Sequence, residues 1–218
     1  MVAENHKRVS CIAFRISEEL GTNGEEQENL VLAGMLHDIG ALSLEKRLDI
    51  LNFDYQDKLR HTEKSYRFLK NFGPFSRVAD IIRYHHVPWD NGAGKEYDFE
   101  PVPRSSHILN LADRVAVLLN RGADILDQAK EVRGKIERHA GSLFDPQLVE
   151  AFNILSRKEY FWFDVTSPRL GDILARQVNL NRGPGPRGTP EHGRPLLQHH
   201  RLPEHVYRHP FLRGGGGG

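Results

Sequence analysis

The chain has 218 residues, enough to bury one core of ordinary size, and a formal net charge of +1, which gives no electrostatic reason to expect DNA or an anionic membrane. A single cysteine, Cys11, rules out an internal disulfide framework and fits a reducing cytoplasm. No apolar run reaches the roughly 18 residues of a membrane span, and no basic-then-apolar leader opens the sequence, so neither membrane insertion nor export is expected.

Helical periodicity runs through residues 5–182. In "HKRVSCIAFRISEELG", Val9, Ile12, Ala13, Ile16 and Leu20 recur at helical spacing, and Gly21 is a natural stop. "EEQENLVLAGMLHDIG" follows, with acids in its first turn and Gly40 at its end, both favourable to a helix. "SLEKRLDILN" and "YQDKLRHTEKSYRFLKNF" keep the same period, and "SRVADIIRYHHV" leads into a turn-rich loop, "PWDNGAGKEYDFEPVP". "SSHILNLADRVAVLLN", "ADILDQAKEVRGKIERHAG", "DPQLVEAFNILSRKEYFWF" and a short "RLGDILARQV" complete the series. No period-two alternation is long enough to argue for a sheet, so the expected class is all-α, one domain over residues 1–182.

Residues 183–218 change character. They hold nine Gly, six Pro and five His, with five Arg against two Glu, which leaves about −2 on residues 1–182. Such a composition cannot bury enough apolar surface to order a chain, so a disordered low-complexity tail is expected.

"LHDIG" (36–40) sets a histidine and an aspartate together late in an apolar run, an expensive arrangement unless the pair is hydrogen-bonded or metal-bound. Partners follow in order along successive helices. His6 opens the first, His37 and Asp38 end the second, His61 lies in a later one, and His85-His86 closes the next. Asp113 interrupts the apolar residues of "LNLADRV". Taken singly, each has a structural reading: a hydrogen-bonded core histidine, a helix-end imidazole, or an ion pair of Asp113 with Arg114 or Arg83. Seven candidate ligands in the order H…HD…H…HH…D are harder to dismiss, since metal donors must be residues of these types and must converge. His107 and His139 lack such neighbours and read as ordinary polar positions.

This ordered set resembles the HD-domain metal-dependent phosphohydrolases, and more narrowly the HD-GYP branch that hydrolyses cyclic di-GMP, over roughly residues 5–155. "LAGMLHDIG" is similar to the HD signature, "RHTEKSYRFL" to the third-histidine helix, "IIRYHHVPWDNGAG" to the paired-histidine segment and "SHILNLADRVAVLL" to the helix of the last aspartate. The resemblance implies an all-α HD-domain bundle holding two divalent transition-metal ions, Fe or Mn foremost, with Zn or Ni as alternatives. It implies His6, His37, Asp38 and Asp113 on one ion and Asp38, His61, His85 and His86 on the other, with Asp38 holding both. A bridging hydroxide would attack the phosphorus of a nucleotide or cyclic dinucleotide. An upstream sensor or receiver domain, or a partner protein, is also implied, and a homodimer is compatible.

The sequence departs from that pattern at three places. The lysine that follows the signature is replaced by Ala41, the Gly-Tyr-Pro is missing after "WDNGAG", and Val2 stands where some members carry a glutamate for a third metal, so two ions are expected. Arg83, Lys95 and Arg114 are candidates for the phosphate contact that Ala41 cannot make. Asn91 lies in a loop whose Gly92 and Gly94 permit close backbone approach, and Trp89 offers either packing or a stacking face. The alternatives are a catalytically weak HD-type signalling module with a structural metal site, and an HD nucleotidase.

Overall fold

A computed structural model describes residues 2–40, 55–120 and 122–177. The expected helix at 43–52, the environment of Ala41 and the tail at 183–218 lie outside the described residues.

Helix α1 (Val2–Glu19) is followed by α2 (Gly24–Leu36). Asn23 caps α2 by accepting a hydrogen bond from the Glu26 amide at 2.9 Å, and Glu25 and Glu26 favour the dipole there. Helix α3 (Tyr55–Lys70) and α4 (Ser76–Arg83) are joined through a single 3₁₀ turn, Gly73–Phe75. Further on come α5 (Arg104–Leu118), α6 (Ile125–Glu137), α7 (Pro146–Leu155), α8 (Glu159–Thr166) and α9 (Leu170–Ala175). The class is all-α, and no helix among the described residues is long and apolar enough to cross a membrane.

Helix α1 packs against α2, α5 and the three C-terminal helices. Val9, Ile12, Ala13 and Ile16 are fully buried at the spacing read from sequence, and Leu20 packs at the edge of the same core. Helix α5 is buried nearly all round, with every residue from Ser105 to Asp113 shielded from solvent. Its central position is why an aspartate on it cannot simply turn to water.

Two details differ from the sequence reading. The run 145–163 is two helices, because the chain turns after Leu155 so that Phe161 and Trp162 can pack on Phe152. The Trp162 indole donates to the Ser156 carbonyl at 2.8 Å, a buried donor satisfied where α7 ends. The loop after α4 also contains a small hairpin, β1 (Glu96–Tyr97) with β2 (Glu100–Pro101), turned by Asp98 and Phe99 at φ 52° and 64°. Two-residue strands leave no period to read.

Candidate metal centre

Gly34 in α2 and Gly40 in the turn beyond it set the geometry. A Cβ at Gly34 would come 2.6 Å from the Ser10 Cα, so α1 and α2 cross at a distance only glycine permits. Ser10 Oγ, which can donate to Val31 O (2.9 Å) or His6 O (3.0 Å), ties the same crossing. This brings the His6 and His37 rings to 4.9 Å between centroids. Gly40 makes the equivalent approach to α3, and its amide donates to Ser65 Oγ at 2.9 Å. Ser65 Oγ also lies 3.0 Å from His61 O and 3.2 Å from His37 O, joining the two ligand-bearing segments through one hydroxyl.

All seven candidate ligands come together. His37 and Asp38 sit in the turn just beyond α2, and His85 and His86 just beyond α4, rather than within the helices. Asp38 Oδ2 lies 3.3 Å from His37 Nε2 and 3.8 Å from His6 Nε2, while its Oδ1 lies 3.5 Å from His61 Nε2. His61 and His86 meet through their Nε2 atoms at 3.2 Å, and His37 Nε2 lies 3.8 Å from Asp113 Oδ1. Two compact donor groups result, His6–His37–Asp38 and His61–His85–His86.

Backbone carbonyls orient the rings. His37 Nδ1 donates to Gly34 O at 2.8 Å and His85 Nδ1 to Ile82 O at 2.7 Å, the same three-residue reach in both turns. That leaves each Nε2 for the cluster, the arrangement that fixes a ligating imidazole. Nε2 of His6, His37 and His85 is buried and makes no hydrogen bond among the described residues. Buried polar atoms without partners are uncommon, and three facing one cluster are the donors a cation would take.

The electrostatics agree. Burial alone would raise the Asp38 carboxyl, yet His37, His6 and His61 hold it well below the usual carboxylate range. Burial works against a charge on His37, but Asp38 and Asp113 outweigh it and push the ring up to about 9. Burial and the neighbouring imidazoles keep His85 and His86 well below their ordinary value, hence neutral. The carboxylates therefore demand positive charge at the cluster, while the second donor group offers neutral nitrogen. That is a donor set divalent transition metals fit.

The surrounding candidates divide. Arg114 Nη2 donates to Asp113 Oδ2 at 2.9 Å, so the ion pair expected as one option for Asp113 forms with Arg114. Arg83 instead bonds Glu63 (3.1 Å) and Glu100 (2.8 Å). Lys95 lies 5.2 Å from the Trp89 ring centroid, and the Asn91 amide donates to Gly141 O. His107 is more than an ordinary polar position: it is buried, with Nε2 3.0 Å from the Gly94 carbonyl and its ring against Trp89. Sequence reasoning misses Ser10 and Ser65, although each stands four residues after a candidate histidine, His6 and His61.

Residues 2–118 match the family described as the HD domain. Over 169 residues the chain is 28% identical to the 3'3'-cGAMP-specific phosphodiesterase 1 of Vibrio cholerae, an alignment covering 74% of this chain and 39% of that protein. Over 167 residues it is 29% identical to a cyclic di-GMP phosphodiesterase of Thermotoga maritima, covering 71% and 45%. The chain thus spans less than half the length of these curated relatives. A crystal structure of a cyclic GMP-AMP specific phosphodiesterase from V. cholerae shares the fold, with a TM-score of 0.57, 20% identity, and 81% of this chain and 48% of that one covered.

Proposed function

Because the chain belongs to the HD domain family, we propose that it is a metal-dependent phosphodiesterase acting on a cyclic dinucleotide through a two-metal centre. The observation that carries this reading is Asp38, whose two oxygens face different donor groups. His6, His37, Asp38 and Asp113 would hold one ion, and Asp38, His61, His85 and His86 the other. A nitrogen-rich set with carboxylates suits Fe or Mn, and also Zn or Ni, better than Mg. When bound, such a pair supplies Lewis-acid charge to phosphate oxygens and acidifies water.

The chain's own residues do the rest. Asp113 is 8% exposed, and the Arg114 guanidinium, donating to its Oδ2 at 2.9 Å, orients it. Asp38 is 23% exposed, which leaves the cluster open to a phosphodiester on its side. Arg114, itself 24% exposed beside Asp113, is our candidate for the phosphate contact in place of Ala41. Arg83, engaged by two glutamates, would position the loop at Glu100. The names of both curated relatives, one for 3'3'-cGAMP and one for cyclic di-GMP, support a cyclic dinucleotide as substrate class.

A second reading, a weakly catalytic signalling module that keeps its metals, is favoured by Ala41 and the missing Gly-Tyr-Pro. Elemental analysis tests the feature common to both. Purified protein should hold close to two transition-metal ions per chain, and His37→Ala or His61→Ala should lose most of one. Folded, metal-free protein of undiminished activity would overturn it.

A further inference from the structure

Asp38 can face both donor groups only while the turn that carries it keeps one orientation. That turn is residues 37–40, just beyond α2, with Asp38 and Ile39 at its centre. In a β-turn the carbonyl of the first residue often accepts from the amide of the fourth. Here a hydroxyl from another helix stands between the two. The Gly40 amide donates to Ser65 Oγ at 2.9 Å, and the same oxygen lies 3.2 Å from the His37 carbonyl oxygen. Ser65 belongs to α3 and is fully buried, and its Oγ also lies 3.0 Å from the carbonyl oxygen of His61. A hydroxyl has one hydrogen and two lone pairs, so Oγ can accept from Gly40 while it donates to either carbonyl.

These contacts close a ring. From Ser65 one arm runs along α3 to His61. The other crosses to the turn and to Asp38, whose Oδ1 lies 3.5 Å from His61 Nε2. The opposite oxygen, Oδ2, lies 3.3 Å from His37 Nε2. Rotation of the turn would carry both oxygens away from their groups together, and the bond between Gly40 and Ser65 opposes that rotation. A buried serine in a helix commonly does less. Ser17 in α1 is just as buried, and its hydroxyl donates to Phe14 O at 2.6 Å within its own helix.

We propose that Ser65 is a positioning residue for the metal centre, its hydroxyl holding the turn at 37–40 so that the two Asp38 oxygens face the two donor groups at once. The inference rests on the two-metal reading above and adds to it a residue outside both donor groups.

Electron paramagnetic resonance of the full chain loaded with Mn²⁺ tests it, because a shared carboxylate couples two Mn²⁺ ions magnetically, whereas separate sites give the spectrum of isolated Mn²⁺. Wild-type protein should show the coupled spectrum, and Asp38→Asn should lose it. Ser65→Ala should shift toward the Asp38→Asn spectrum. It should also bind the second Mn²⁺ roughly 10–100-fold more weakly and lower kcat for 3'3'-cGAMP and cyclic di-GMP by a similar factor. Ser17→Ala removes a hydroxyl that is equally buried, and should change none of these whatever it costs in melting temperature. Should Ser65→Ala not fold, Ser65→Cys carries the same test: sulfur is a weak acceptor for the Gly40 amide, so the same losses should appear in smaller degree. A coupled spectrum and Mn²⁺ affinity that stay at wild-type values in folded Ser65→Ala or Ser65→Cys, or that change equally in Ser17→Ala, would overturn this proposal alone. Wild-type protein without a coupled pair would overturn it together with the two-metal reading.

Discussion

Gly40 lies against the backbone of His61: a Cβ at position 40 would stand 2.5 Å from the His61 carbonyl oxygen and 2.7 Å from the Ser65 nitrogen. Both obstacles are main-chain atoms of α3, so neither can swing away. The glycine is what lets the turn carrying His37 and Asp38 seat beside the helix carrying His61.

Gly40→Ala should therefore force the two segments apart. Overpacking of this kind costs about 1–3 kcal/mol, and bound metal should fall together with the melting temperature. Gly134→Ala is the matched control, because nothing lies within 4 Å of a Cβ there and the site is inside α6. It should raise stability by about 0.5–1 kcal/mol. Thermal unfolding of the two variants, with opposite signs, checks the argument.

Much of this is legible in the sequence, and the reasons are physical. Helical period comes from burial on one face, so the spacing of Val9, Ile12, Ala13 and Ile16 is enough to place α1 and its core side. The seven candidate ligands stand out because a buried aspartate or a histidine pair is costly enough to need a reason. What stays hidden depends on contacts between segments distant in sequence. The closeness of Gly34 to Ser10 and of Gly40 to His61 leaves no local pattern, and Ser65 bonds residues 25 and 28 positions away. The burial of His107 is hidden for the same reason, its partner being Gly94 in a loop.

Cys11 is 1% exposed, and burial pushes its thiol up to about 12. Since the thiolate is the nucleophile, native protein at pH 8 should leave Ellman's reagent almost untouched for as long as it stays folded. One thiol per chain should react in guanidinium. Rapid labelling without denaturant would show that α1 opens readily.

The tail is expected to be dispensable on composition alone. A chain ending at Asn181 should keep the melting temperature and metal content of the full chain. A large fall in either would assign residues 183–218 a structural part.

Ala41 stands where the family's lysine would make a charge-assisted contact to phosphate, and such contacts strengthen as charge develops in the transition state. Ala41→Lys should raise the rate of phosphodiester hydrolysis with metal content unchanged. An unchanged rate would place the phosphate contact elsewhere, Arg114 being the first residue to test.

The most direct measurement is turnover of cyclic di-GMP, 3'3'-cGAMP and a generic aryl phosphodiester by metal-loaded protein with Mn²⁺ or Fe²⁺ under reducing conditions, compared with Asp38→Asn. Wild-type protein should hydrolyse at least one cyclic dinucleotide, and Asp38→Asn should abolish that turnover while the chain stays folded. Metal-loaded wild-type protein that turns over none of the three, or an Asp38→Asn variant as fast as wild type, would contradict a two-metal phosphodiesterase centred on Asp38.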